Sequence, residues 1–212
     1  TDVVAVKEIY GGRPEIKEYI EKAPADVIIM QNFEEKGIGV VTVPETATEL
    51  ISGGVAPWTC QTHAAYQKCL FYIQIAREDA IFEAARTMPA QKILLVHDRG
   101  ALDGKAYISD GEFAQIIDSL SFTEKELLAR YDGVFYLMSA ARLSESAYTT
   151  ENNTARTEDA REAAALDERT GKIWSGHPHF VTIEQSPDFQ EKMHRLLSAI
   201  EDLLAEKDSS RS

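Results

Sequence analysis

Short runs of uninterrupted apolar residues alternate along this chain with longer segments in which apolar residues recur every three or four positions. "VVAVKEIY", Val3 to Tyr10, is rich in β-branched residues and is stopped by Gly11-Gly12, which predicts a strand. Helical composition over Pro14 to Lys22 and Ala25 to Lys36 is interrupted at Pro24 and stopped by Gly37. "GIGVVTVPE" reads as a short strand closed by Pro44, Thr46 to Ile51 as a turn of helix, and "SGGVAPW" as a Gly/Pro loop. Thr62 to Thr87 predicts a long helix with a stripe at Tyr66, Leu70, Ile73, Arg77, Ile81 and Ala84. "KILLVHDRG", "GVFYLMSAA" and "HFVTIEQ" predict three further strands. Glu112 to Leu120, Thr123 to Arg130, Asp159 to Trp174 and Asp188 to Lys207 predict helices.

Near-continuous apolar strands alternating with helices belong to an α/β fold, a parallel sheet with helices on both faces. The length suits a single domain over residues 1–207, with a polar lid segment at about 142–165 and a disordered tail at 208–212. Ligands of such sheets bind where the strands end. The residues of interest are therefore Gly11 to Lys17, Glu45, Asp98-Arg99, Ser139 to Arg142 and Gln185-Ser186.

Composition narrows the partners. With 35 acidic against 22 basic side chains the formal net charge is -13, and no Lys/Arg cluster interrupts it, so nucleic acid and anionic membranes are repelled. Any anion must be held by a short-range site. Cys60 and Cys69, placed by this pattern in one helical segment, suit neither a bridge nor a metal set and read as two reduced thiols. No apolar run approaches the roughly 20 residues of a membrane span and no signal peptide opens the chain, so cytoplasmic location is the expectation. The long helix around Tyr66 to Phe82 admits two readings, burial in its own core or packing against a second chain in a homo-oligomer.

The charged residues at the strand exits carry the chemistry. In "LLVHDRG", Asp98 and Arg99 follow an apolar strand, and a carboxylate with a forked cation is what a magnesium nucleotide requires. A strand-end ion pair with a tight turn at Gly100 is the competing explanation. Glu45 ends the neighbouring strand, where it is either a proton acceptor for an attacking hydroxyl or an acid favoured by a helix N-terminus. Arg156 and Arg161 lie in a polar segment that becomes helical, either as lid arginines that stabilise developing charge or as a solvated helix start. His177 and His179 lack a third ligand nearby and read as turn residues.

After the first strand, Gly11, four residues and Ile16-Lys17-Glu18 have the spacing of G-x-x-x-x-G-K-[ST], with isoleucine in place of the second glycine and glutamate in place of the hydroxyl residue. "VPETATELISGGVAPWTC", "ILLVHDRGALDGKAY", "NNTARTEDAREAAALDERT" and "WSGHPHF…DFQEKMHRLLSAI" together resemble the P-loop ATPase domains related to nicotinamide riboside kinase. That group includes a eukaryotic translocation-defect protein that binds GTP and phosphoinositide. The resemblance runs from Val40 to Leu204, about four-fifths of the chain. It implies a nucleoside-kinase-like P-loop NTPase fold and a small-molecule kinase that uses ATP or GTP with Mg2+. By the same resemblance Asp98 assists the metal, Glu45 and Arg99 address the acceptor, and Arg156 and Arg161 belong to the lid. The loop spacing assigns Gly11, Gly12, Arg13 and Lys17 to phosphate, and the region of Trp58, Gln61, His63 and Tyr107 is the expected acceptor-pocket lining. The departure is in the phosphate loop. Isoleucine disfavours the positive φ that a glycine supplies there, and Glu18 sets a negative charge against a polyanion. Three explanations stand: an impaired ancestral loop, a grip in another register through Arg13 and Lys17, or a stretch from Ile9 to Met30 that departs from the natural chain. The first is the working expectation, and it leaves open a non-catalytic nucleotide-binding switch or adaptor beside the kinase. A plain interaction module is the third alternative.

Overall fold

The computed structural model describes residues 2–10, 25–138, 160–186 and 188–210. Five strands, β1 (Asp2–Tyr10), β2 (Gly39–Val43), β3 (Lys92–Asp98), β4 (Gly133–Leu137) and β5 (Phe180–Ile183), form one sheet in the order β2-β3-β1-β4-β5. Every neighbouring pair is parallel. The helices are α1 (Ala25–Glu34), α2 (Thr46–Ser52), α3 (His63–Arg86), α4 (Asp110–Asp118), α5 (Glu124–Leu128), α6 (Ala160–Trp174) and α7 (Phe189–Ser209), with a 3-10 turn at Asp103–Ala106.

The apolar runs are explained by burial on both faces. The five middle residues of β3 are buried, as is all of β4, whereas the outer strands β2 and β5 are largely half-buried. Alternate side chains then serve opposite layers. Leu94, Val96, Phe135 and Leu137 pack with Ile29 and Phe33 of α1 and with Met193, Leu196, Ile200 and Leu203 of α7. Val134 and Tyr136 pack on the other face with Phe71 and Ile75 of α3, Phe113 and Ile117 of α4, Leu127 of α5 and Trp174 of α6.

Local chemistry sets the helix ends. Thr62 and Asp188 cap α3 and α7 with their side-chain oxygens, and Ser109/Glu112 and Thr123/Glu126 form capping boxes on α4 and α5. Gly37, at φ 76°, lets Ile38 and Gly37 donate back to the carbonyls of Phe33 and Glu34 at 3.0 and 2.9 Å, which stops α1 before β2 begins at Gly39.

Several expectations change. The expected helix at Pro14 to Lys22 lies outside the described residues. The end of the chain expected as a tail begins as helix, because α7 runs to Ser209 with Ser210 as its cap. Cys60 is not helical; it follows the turn at Ala56–Thr59, and both cysteines are free thiols. On α3 the buried positions are Tyr66, Gln67, Phe71, Gln74, Ile75, Glu78 and Ala85, so the inward stripe is rotated by about one residue from the apolar one. Three of those positions are polar, and hydrophobicity alone cannot find them.

Phe135 is 1% exposed between the α1 and α7 layer and the sheet. Phe135→Ala is expected to cost about 3–5 kcal/mol of unfolding free energy, read as a lower urea midpoint with an unchanged m-value.

Candidate functional site

Parallel register places the charged exits at one edge. Val43 of β2 is opposite His97 of β3, so two residues further on Glu45 and Arg99 stand level on neighbouring chains. Glu8 of β1 is opposite Asp98, and Tyr10 is opposite Leu137 of β4. The central strand therefore delivers the chain to the same edge immediately before Gly11. Gly11, Gly12, Arg13, Lys17 and Arg156 lie outside the described residues. Arg161 falls in the first turn of α6, where only the backbone is described. Since α6 leads into the start of β5, its own start lies towards the edge where the strands end.

Glu45 and Arg99 form an ion pair. Arg99 Nε donates to Glu45 Oε1 at 3.2 Å, and the two side chains are only 26% and 22% exposed. Glu45 sits at the N-cap of α2 but makes no capping hydrogen bond; instead its Oε2 accepts from the Thr48 hydroxyl. Glu45 thus stands at a helix N-terminus and has a charge partner as well, so the structure is compatible with both readings of this acid. Burial works against the Arg99 cation, but Glu45, then Tyr107, Asp103 and Asp98, outweigh it and hold the guanidinium above its ordinary value. Arg99 also adopts φ 78°, in the left-handed region. The next turn is held by Asp103, whose Oδ2 accepts from Gly100 N at 2.9 Å. Asp98 is half-buried at the end of β3.

Tyr66, on the first turn of α3, is 2% exposed, and its hydroxyl has no hydrogen-bond partner among the described residues. Burial first, and then the charge of Glu45 and the nearby Tyr107, Cys60 and Cys69, push its pKa up to about 12. A buried phenol beside the Glu45–Arg99 pair is thus part of this edge. Tyr107 is 42% exposed and faces both Arg99 and Tyr66 electrostatically. Trp58, Gln61 and His63 are exposed, and the described contacts do not join them to the pair.

Residues that apolar periodicity missed lie beneath the edge. Glu78 of α3 is 2% exposed, and its carboxylate accepts from Gln74 Nε2 at 2.7 Å, Tyr131 Oη at 2.9 Å and Arg130 Nε at 3.0 Å. Burial raises the Glu78 pKa, opposed by Arg130 and these hydrogen bonds. A second tie joins α6 to the turn after β3: Trp174 Nε1 donates to Asp103 Oδ1 at 2.6 Å, and Arg169 Nη2 to the Ile108 carbonyl at 2.8 Å. The only sequence signal for these groups was polar residues recurring at helical spacing within an otherwise apolar α3. His177 is a buried turn residue whose Nδ1 accepts from His179 N at 3.1 Å, which leaves Nε2–H to donate to the Tyr131 carbonyl at 2.9 Å. Among the described residues no three His, Cys, Asp or Glu side chains cluster as a metal site, and no helix is long and apolar enough to cross a membrane.

A parallel five-stranded sheet in this order, covered on both faces and carrying its charged exits on one edge, defines an α/β fold of the P-loop kinase type. Solved structures share it, two of them as follows. One is deoxyadenosine kinase from M. mycoides with bound dATP, similar at TM-score 0.52 and 11% identity over 94% of this chain and 99% of that one. The other is thymidylate kinase from Candida albicans, at TM-score 0.51 and 10% identity over 98% of this chain and 92% of that one. A family model described as an AAA domain matches residues 28–192, and the chain belongs to that family of P-loop ATPases. No curated protein matches the chain.

The Tyr66 hydroxyl is desolvated without a described partner, so Tyr66→Phe is expected to leave stability at neutral pH unchanged or raised by about 1 kcal/mol. A phenol whose pKa is higher in the folded chain stabilises fully below the ordinary value of 10.0 and loses that contribution as pH climbs towards about 12. Urea unfolding across that interval should therefore show a smaller loss for Tyr66→Phe than for the wild-type chain.

Proposed function

We propose that the chain binds a magnesium nucleoside triphosphate, ATP or GTP, at this edge and transfers the γ-phosphoryl to a hydroxyl of a small, nucleoside-type acceptor. The observation that carries the proposal is the Glu45–Arg99 pair, half-buried at the exits of adjacent strands, next to Asp98 and to the end of central β1. An acid and a guanidinium held together at the carboxyl edge of a parallel sheet suit in-line transfer, which demands positioning and charge stabilisation. The similarity to a deoxyadenosine kinase and a thymidylate kinase supports the same class at the level of fold.

Each residue has a role in this proposal. Glu45 accepts the proton of the attacking hydroxyl, and its hydrogen bond with Arg99 orients it. Arg99 steadies the charge that develops on the transferred group. Gly11, Gly12, Arg13 and Lys17 hold phosphate, while Arg156 and Arg161 close from the segment that leads into α6. A carboxylate at a strand end beside the nucleotide's phosphates fits Mg2+, which takes one or two carboxylates and fills its other positions with water and phosphate oxygens. Asp98 would hold it there, and the ion would supply charge neutralisation to the phosphates. Tyr66 and Tyr107 border the acceptor side. The competing proposal is a nucleotide-binding switch or adaptor without turnover, and Ile16 and Glu18 favour it.

Calorimetry and thermal melting with Mg-ATP and Mg-GTP are expected to show binding; a chain that neither evolves heat nor shifts its melting temperature at millimolar nucleotide overturns both proposals. Release or transfer of phosphate, lost in Asp98→Asn and lowered about 100-fold or more in Arg99→Ala, selects the kinase. Binding without turnover selects the switch.

A further inference from the structure

Beyond Val43 and His97 the β2–β3 ladder ends, yet Glu45 and Arg99 still meet across the two exits. The connections that continue past the ladder converge on one buried group. Thr46, the residue after Glu45, donates its hydroxyl to Gln74 Oε1 at 2.6 Å, and Gln74 Nε2 donates to Glu78 Oε1 at 2.7 Å. On the other exit, the backbone N–H of Ala101, two residues past Arg99, donates to the Tyr131 hydroxyl at 2.8 Å, which donates to the same Glu78 oxygen at 2.9 Å. His97, the residue before Asp98, places Nδ1 at 3.9 Å from that oxygen, with its ring edge-on to Tyr131. Arg130 Nε closes the set on the second oxygen at 3.0 Å.

We propose that Glu78 is the positioning residue of this edge, a buried carboxylate that fixes the exits of β2 and β3 relative to each other so that Arg99 reaches Glu45. Three donors meet on its two oxygens, and only a group that accepts throughout serves them all; an amide in its place would turn one donor towards another. The Gln74 amide is thereby oriented as well, oxygen to Thr46 and nitrogen to Glu78, so the tie to the Glu45 side has one sense. The kinetic consequence rests on the kinase proposal above, whereas the structural consequence stands without it.

A double variant separates placement from stability. Glu78→Met with Arg130→Met removes the buried carboxylate and its half-buried partner while keeping apolar volume, an exchange that preserves folding where an ion pair serves stability alone. This variant, compared with the wild-type chain, is expected to lose stability through the Gln74 and Tyr131 donors left unpaired, yet to fold and to keep its affinity for Mg-ATP. The rate of phosphate release from Mg-ATP, with water as acceptor, is expected to fall at least about tenfold in kcat at unchanged KM. Without nucleotide, the Arg99 Nε–H proton resonance, identified by its loss in Arg99→Ala and moved in Glu45→Gln, is expected to move in the double variant as well. An Arg99 resonance and a kcat both like those of the wild type would overturn the proposal. Should the double variant fail to fold, Tyr131→Phe breaks the hydroxyl link between Ala101 and Glu78 while leaving the Glu78 and Arg130 side chains in place, and the same two readouts decide. A wild-type chain without any turnover removes the kinase proposal but leaves the Arg99 resonance to decide on Glu78.

Discussion

A parallel sheet brings every strand exit to a single edge, and here the register of β3 between β2 and β1 determines which residues meet there. Val43 opposite His97 sets Glu45 level with Arg99, and Glu8 opposite Asp98 brings the end of the central strand to the same height. A shift of one residue between β2 and β3 would separate the acid from the guanidinium, and a shift in either pairing would turn alternate side chains towards the wrong layer. The continuous apolar character of β3 and β4, needed because helices cover both faces, is what makes that register costly to leave.

The polar residues beneath the edge divide into two ties. One runs from the α2 start through Gln74, Glu78 and Tyr131 to the turn at Ala101. The other runs from that same turn through Asp103 to Trp174 at the end of α6. The turn after β3 is therefore held from two sides, by the long helix α3 and by the helix that follows the polar segment. Neither tie depends on exposed ion pairs, which contribute little in water.

How far the sequence revealed this arrangement differed by physical cause. Buried strands announce themselves because both faces demand apolar side chains, so β3 and β4 were legible, and the helix expected from Thr62 to Thr87 matches α3 within a residue at each end. Glu45 and Arg99 were legible as charges at strand exits, though their direct contact depends on register, which no single segment encodes. The inward face of α3 was misread because Gln67, Gln74 and Glu78 are buried through hydrogen bonds and charge rather than through hydrophobicity. Cys60 was placed on the helical segment although the Gly/Pro loop read through Trp58 runs on past it, as the turn after Ala56 and the start of α3 at His63 show.

Arginine at a position of positive φ is a compromise between two selective pressures. Glycine would take up that backbone shape with less strain, of the order of 1 kcal/mol, so directed evolution for heat resistance alone should drift towards glycine at residue 99. Screening for turnover should hold the larger residue in place, so the two searches would part company at this codon before almost any other.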